Sequence, residues 1–81
     1  MLNIKVVGPG CMNCQKLADM CKEIIEEHQI EAEFEKITDI NKFADLGILM
    51  TPGLLLNNTV VVSGKLPTKS TLTHWIMESS K

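Results

Sequence analysis

The chain has 81 residues, 44% of them hydrophobic, with eight lysines, no arginine, ten carboxylates and a net charge of −2. This length suits one domain, spanning 1–81, whose core lies near the lower limit of independent stability, and no apolar run is long enough to cross a bilayer. Scattered lysines on an acidic chain leave no basic stripe for phosphates, so neither nucleic acid nor membrane is an expected partner; the opening Met1-Leu2-Asn3-Ile4-Lys5 enters a strand pattern without leader-like features, so a cytoplasmic protein is expected.

Leu2 to Val7 is short, β-branched and apolar at nearly every position, the signature of a central strand. Gly8-Pro9-Gly10 then breaks the run, and a helical pattern starts at Cys11-Met12-Asn13-Cys14. Leu17, Met20, Cys21, Ile24, Ile25 and His28 fall on one face of that helix, which ends near His28. From Glu31 to Ile37 the pattern alternates, Ala32 and Phe34 against Glu31, Glu33 and Glu35, as in a half-solvated edge strand guarded by charge.

Thr38-Asp39 offers an N-cap, and Ile40, Phe43, Ala44 and Leu46 form a brief apolar stripe. Gly47 supplies a left-handed stop to this second helix. Met50-Thr51-Pro52-Gly53 is a break. Leu54-Leu55-Leu56 and Val60-Val61-Val62 follow as a hairpin turned by Asn57-Asn58, because asparagine tolerates positive φ. A last helix, capped by Thr68 or Ser70, turns Leu72, Trp75 and Ile76 inward. The order β-α-β-α-β-β-α makes the first two strands parallel through a right-handed crossover. It yields an α/β fold with a mixed four-stranded sheet and helices on both faces.

The chemistry concentrates at Cys11 and Cys14. Positions i and i+3 in a first helical turn share a face about 5–6 Å apart, within reach of disulfide geometry. Free N–H groups and the positive helix end stabilise a thiolate there. Cys11, nearest the end, is therefore the expected nucleophile, and Cys14, one turn in, the resolving thiol. In a reducing compartment such a pair serves redox or metal chemistry rather than acting as a staple. Lys16 is a surface lysine that could add positive charge, Cys21 reads as core filler, and Met12 as an exposed adaptable contact beside the thiols. Asn13 either caps the helix or contacts the thiolate. Gly8 and Gly10 permit the turn into the helix. Gly53 is a place where backbone could approach closely.

Gly10-Cys11-Met12-Asn13-Cys14 after the first strand, with Thr51-Pro52 just before the hairpin, resembles the thioredoxin fold over nearly the whole chain. More narrowly, it resembles the small, glutaredoxin-sized thioredoxin-like proteins of bacteria and archaea. The resemblance implies a thiol-disulfide oxidoreductase that needs no cofactor or metal of its own. Its partners would be a disulfide-containing protein or small molecule as substrate and a reductase as electron donor. The resemblance also implies a cis bond before Pro52, packed against the active disulfide, with Thr51, Pro52, Met12 and Asn13 forming the substrate groove. Gly10 and Met12-Asn13 depart from the Trp and Gly-Pro of thioredoxins proper, and the chain lacks the Pro-Tyr of glutaredoxins.

Three other readings compete. A zinc site would have to draw on Cys21, His28 and His74 as further ligands. A Cu(I) carrier would use the same paired thiolates. It would, however, require the β-α-β-β-α-β order of heavy-metal-associated domains, with a strand where Asp39 to Gly47 reads as helix, and Met where Pro9 stands. A non-enzymatic redox sensor or interaction module would form the disulfide without turning over substrate.

Overall fold

The computed structural model describes residues 2–10 and 12–80. It contains β1 (Leu2–Val7), α1 (Met12–Glu27), β2 (Ala32–Ile37), α2 (Ile40–Phe43) running into a 3₁₀ turn (Ala44–Leu46), β3 (Gly53–Leu56), β4 (Thr59–Ser63) and α3 (Lys69–Ser79). The strands form one sheet in the order β2-β1-β3-β4. β1 pairs parallel with β2, from Leu2 opposite Ala32 to Val7 opposite Ile37, and antiparallel with β3. This is the α/β, mixed four-stranded arrangement expected from the element order. The helical segment at 40–46 stands where the copper-carrier topology requires a strand. Among the described residues no helix is long and apolar enough to cross a membrane.

The strand period of two divides the core between the sheet faces. Leu2, Ile4 and Val6 of β1, with Leu54, Leu56 and Val62, face one side, where Leu17, Ala18, Cys21 and Ile24 of α1 and Leu72 and Ile76 of α3 close over them. Val7, Ile37 and Leu55 face the other and pack with Ile48, Phe43 and Leu46. The stripe expected on the second helix is only partly realised. Ile40 is 69% exposed and Ala44 also faces solvent, because four residues of α-helix followed by a tighter 3₁₀ turn rotate the stripe out of register. Ile48, just past the stop at Gly47, fills the site instead, and a Cβ on Gly53 would lie 2.7 Å from its Cδ1.

Local signals fix the ends. Asp39 caps α2 by accepting from the Asn41 N–H at 3.0 Å, and Thr68 caps α3 by accepting from the Thr71 N–H at 3.2 Å. Asn57 and Asn58 both take positive φ, as a two-residue hairpin turn of the right twist demands. α1 ends in a Schellman arrangement, with Gln29 left-handed and the Ile30 N–H donating to the Ile25 carbonyl at 3.0 Å. That closure leaves His28 exposed beyond the helix rather than on its apolar face.

The Lys69 ammonium, at the start of α3, reaches Glu23 at 2.6 Å and Glu27 at 2.9 Å on α1. The hydrogen bond from Lys69 holds the Glu27 carboxyl below its ordinary range, and the bonds to Glu23 and Glu27 hold the Lys69 ammonium above its own.

Two outcomes follow for stability. Ile24→Ala, which empties a fully buried site between α1 and the sheet, should cost about 2–5 kcal/mol in denaturant titrations, a large share of what a chain of this size commands. Lys69→Met should lower the melting temperature between roughly pH 5 and 10, where the Glu27 carboxylate and the Lys69 ammonium are charged. The carboxylate contribution disappears as pH falls through the depressed Glu27 value, and the ammonium contribution disappears as pH rises through the elevated Lys69 value. Wild type and variant should therefore converge at both extremes.

Candidate active site

β1 delivers the chain to Gly8, which is buried and whose N–H donates to the Ile37 carbonyl at 2.9 Å, extending the parallel ladder one residue past the strand. Gly10 then takes φ +96°, a left-handed value that a side chain would resist, and turns the chain into α1. Cys14 lies in the first turn of α1, 5% exposed, and is disulfide-bonded. Cys11 lies outside the described residues.

The site is built on close approach at Gly8. A Cβ there would overlap the Cys14 Sγ, would sit 3.1 Å from the Cys14 Cβ, and would touch the Thr51 Cβ at 3.7 Å. Cys14, the end of β1 and the loop before β3 thus meet at one point. The Thr51-Pro52 bond is cis. Pro52 is buried and Thr51 half-buried, and the Pro52 carbonyl accepts from the Gly64 N–H at 2.9 Å, which ties the loop to the end of β4.

Around this point the first turn of α1 contains no acidic residue, so nothing there opposes the positive helix end. Met12 is 78% exposed, and Asn13 and Lys16 are exposed beside it. Leu49, which the sequence does not single out, and Met50, which it marks only as the start of a break, are 87% and 64% exposed immediately before Thr51. Their signal is only that two large apolar residues precede a turn, which sequence alone cannot tell from core.

The other residues weighed as ligands are not gathered here. Cys21 is a buried free thiol further along α1, and burial pushes its pKa up to about 12. His28 lies past the opposite end of α1, roughly 20 Å from Cys14 at 1.5 Å per helical residue, and His74 is exposed on α3.

Comparison with known proteins places this geometry. A thioredoxin domain family model matches residues 2–77. The chain is 35% identical over 69 residues to a thioredoxin of Methanothermobacter thermautotrophicus, covering 85% of this chain and 90% of that protein. It is 36% identical over 67 residues to a thioredoxin of Methanocaldococcus jannaschii, covering 83% and 77%. The solution structure of oxidised thioredoxin from Plasmodium falciparum superposes with a TM-score of 0.69 at 17% identity, covering 99% of this chain and 82% of that one, a likeness of fold. A parallel β1–β2 pair, a disulfide-bonded cysteine at the head of the crossover helix and this family match lead to one conclusion: the chain belongs to the thioredoxin domain family, a family of thiol-disulfide oxidoreductases.

Proposed function

We propose that the chain reduces disulfides through a Cys11–Cys14 couple, with Cys11 as nucleophile and Cys14 as resolving thiol. The observation that carries this reading is the disulfide-bonded Cys14 lying on Gly8 beside the cis Thr51-Pro52 segment. With Cys21 a free, buried thiol whose pKa is raised, Cys11 is the cysteine left to complete the couple.

The Cys11 thiolate attacks one sulfur of a substrate disulfide. A Cys11–substrate S–S bond forms and the far sulfur leaves with its electron pair, taking a proton from water. The Cys14 thiolate then attacks Cys11, closing the Cys11–Cys14 bond and expelling the second substrate thiolate. The protein ends oxidised by two electrons, which a partner reductase restores. Met12, Asn13, Thr51 and Pro52 form the substrate surface. The exposed Met12 supplies adaptable apolar contact, and the Thr51 backbone meets an extended substrate chain. The substrate is a disulfide-containing protein or small molecule, and the setting is the cytoplasm.

In insulin reduction driven by dithiothreitol, Cys11→Ser should lose essentially all catalysed turnover, and Cys14→Ser should accumulate a substrate-linked mixed disulfide visible on non-reducing gels. Full activity in Cys11→Ser would remove the assignment. Stoichiometric Cu(I) binding by the purified protein, without insulin reduction, would transfer the pair to metal carriage. Gly8→Ala places a Cβ on the Cys14 sulfur and should lower turnover at least tenfold while costing about 1–3 kcal/mol of stability. Unchanged kinetics in that variant would show that the close approach is dispensable.

A further inference from the structure

A half-open cavity of about 240 Å³ lies where β4, the segment 65–67 and α3 meet, with Val61, Val62, Leu66, Pro67 and Trp75 as its apolar wall. A register shift in the sheet contributes to it. Neighbouring strand residues ordinarily point to opposite faces. Here Leu54 pairs with Val62 and Leu55 with Val60, so Val61 is left over as a bulge, and Val61 and Val62 both border the cavity. On the helical side Thr71 and Trp75 are one turn apart and share a face of α3. Val62 is buried, whereas Val61, Leu66 and Trp75 pack on the core with only part of their surface and leave the rest open.

Volume and charge limit what can occupy this space. An apolar cavity of about 150 Å³ takes a benzene-sized molecule, so this one takes a molecule of about ten non-hydrogen atoms. Lys65 is the charged residue of the lining, and no carboxylate lines the cavity. Among the described residues no carboxylate pairs with the Lys65 ammonium, since the ion pairs there belong to Lys69. The lining adds the Ser63 hydroxyl, while the Thr71 hydroxyl is already bonded to that of Thr68 at 3.0 Å. One ammonium is a compact point charge and matches one carboxylate. A phosphate group presents three strong acceptor oxygens, more than this wall satisfies.

We propose that this cavity binds a small apolar monocarboxylate, an aromatic or medium-chain aliphatic acid of about ten non-hydrogen atoms. Its hydrocarbon part lies against Val61, Leu66 and Trp75, and its carboxylate meets the Lys65 ammonium. Ligand sites commonly divide the work in this way, with apolar walls removing the ligand from water and a small number of polar groups fixing its orientation. The site shares no lining residue with the Cys14 site or the Thr51-Pro52 segment, so it goes beyond disulfide reduction and does not depend on it. Trp75 is the chain's one tryptophan, and its fluorescence therefore reads occupancy directly.

The test is titration of the full chain with 3-phenylpropionate at neutral pH, followed by Trp75 fluorescence. The change should saturate with a dissociation constant of roughly 0.1–1 mM, the range for a ligand of this size. The neutral analogue 3-phenylpropionamide should bind about three- to fivefold more weakly, as the loss of a solvent-exposed charge contact demands. Lys65→Met should lose the same factor for the acid and nothing for the amide, and Lys65→Arg should keep both affinities. Thr71→Phe, which places a ring in the cavity, should abolish the response to both compounds and leave insulin reduction unchanged; should that variant fail to fold, the Lys65 variants and the amide decide alone. A response that stays linear to about 10 mM overturns the proposal, as does equal binding of acid and amide or wild-type affinity of Lys65→Met for the acid. A Trp75 signal that varies with protein concentration in the absence of acid, together with a dimer mass in sedimentation, also overturns it and gives the cavity to a second copy of the chain.

Discussion

The structure turns on one absent side chain. At Gly8 the end of β1, the Cys14 sulfur and the Thr51 side chain converge, leaving no volume for a Cβ. The backbone there is also held, because Gly8 donates to Ile37 across the parallel ladder. The sulfur's position is therefore set by main chain rather than by adjustable side chains. Packed cores transmit such constraints because they have little free volume to absorb a shift. α1 cannot slide away, since Leu17, Ala18, Cys21 and Ile24 are buried along its length, and the loop before β3 cannot retreat, since Pro52 is bonded to Gly64.

Much of this was legible in the sequence wherever one residue type has a narrow range of conformations. Two asparagines between valine- and leucine-rich runs can hardly be anything but a tight hairpin turn, and both adopt positive φ. Alternation from Glu31 to Glu35 marked β2 as a guarded edge, and the sheet order puts it there. The spacing of two cysteines where a helical pattern begins points to a candidate site, and Cys14 of that pair lies in the first turn of α1.

What stayed hidden depended on three-dimensional register. Ile40 and His28 sat on apolar stripes that assume an unbroken α-helix, and the 3₁₀ turn at 44–46 and the Schellman closure at Gln29 each broke that assumption. Val61 is the extra residue of a β-bulge, since Leu54 pairs with Val62 and Leu55 with Val60, and three consecutive valines carry no sign of it. The role of Gly8 was underestimated for the same reason. A glycine before a turn is explained locally by its freedom of φ, and only the fold reveals that a sulfur lies against it.

Cys14 and Cys21 are both buried but lie in different surroundings. Both sit on the buried face of α1, seven residues apart, and both are nearly or wholly inaccessible. Cys21 is enclosed by the core between α1, α3 and the sheet, where a thiolate has no compensating partner. Cys14 lies where the same helix begins, beside free N–H groups, a water-sized cavity and a lysine from β2. Helical periodicity makes the two positions equivalent in packing, while the helix end and the neighbouring strand give them different surroundings. The surroundings of Cys14 are thus set by the junction between β1, α1 and β2, which the cysteine spacing alone does not specify.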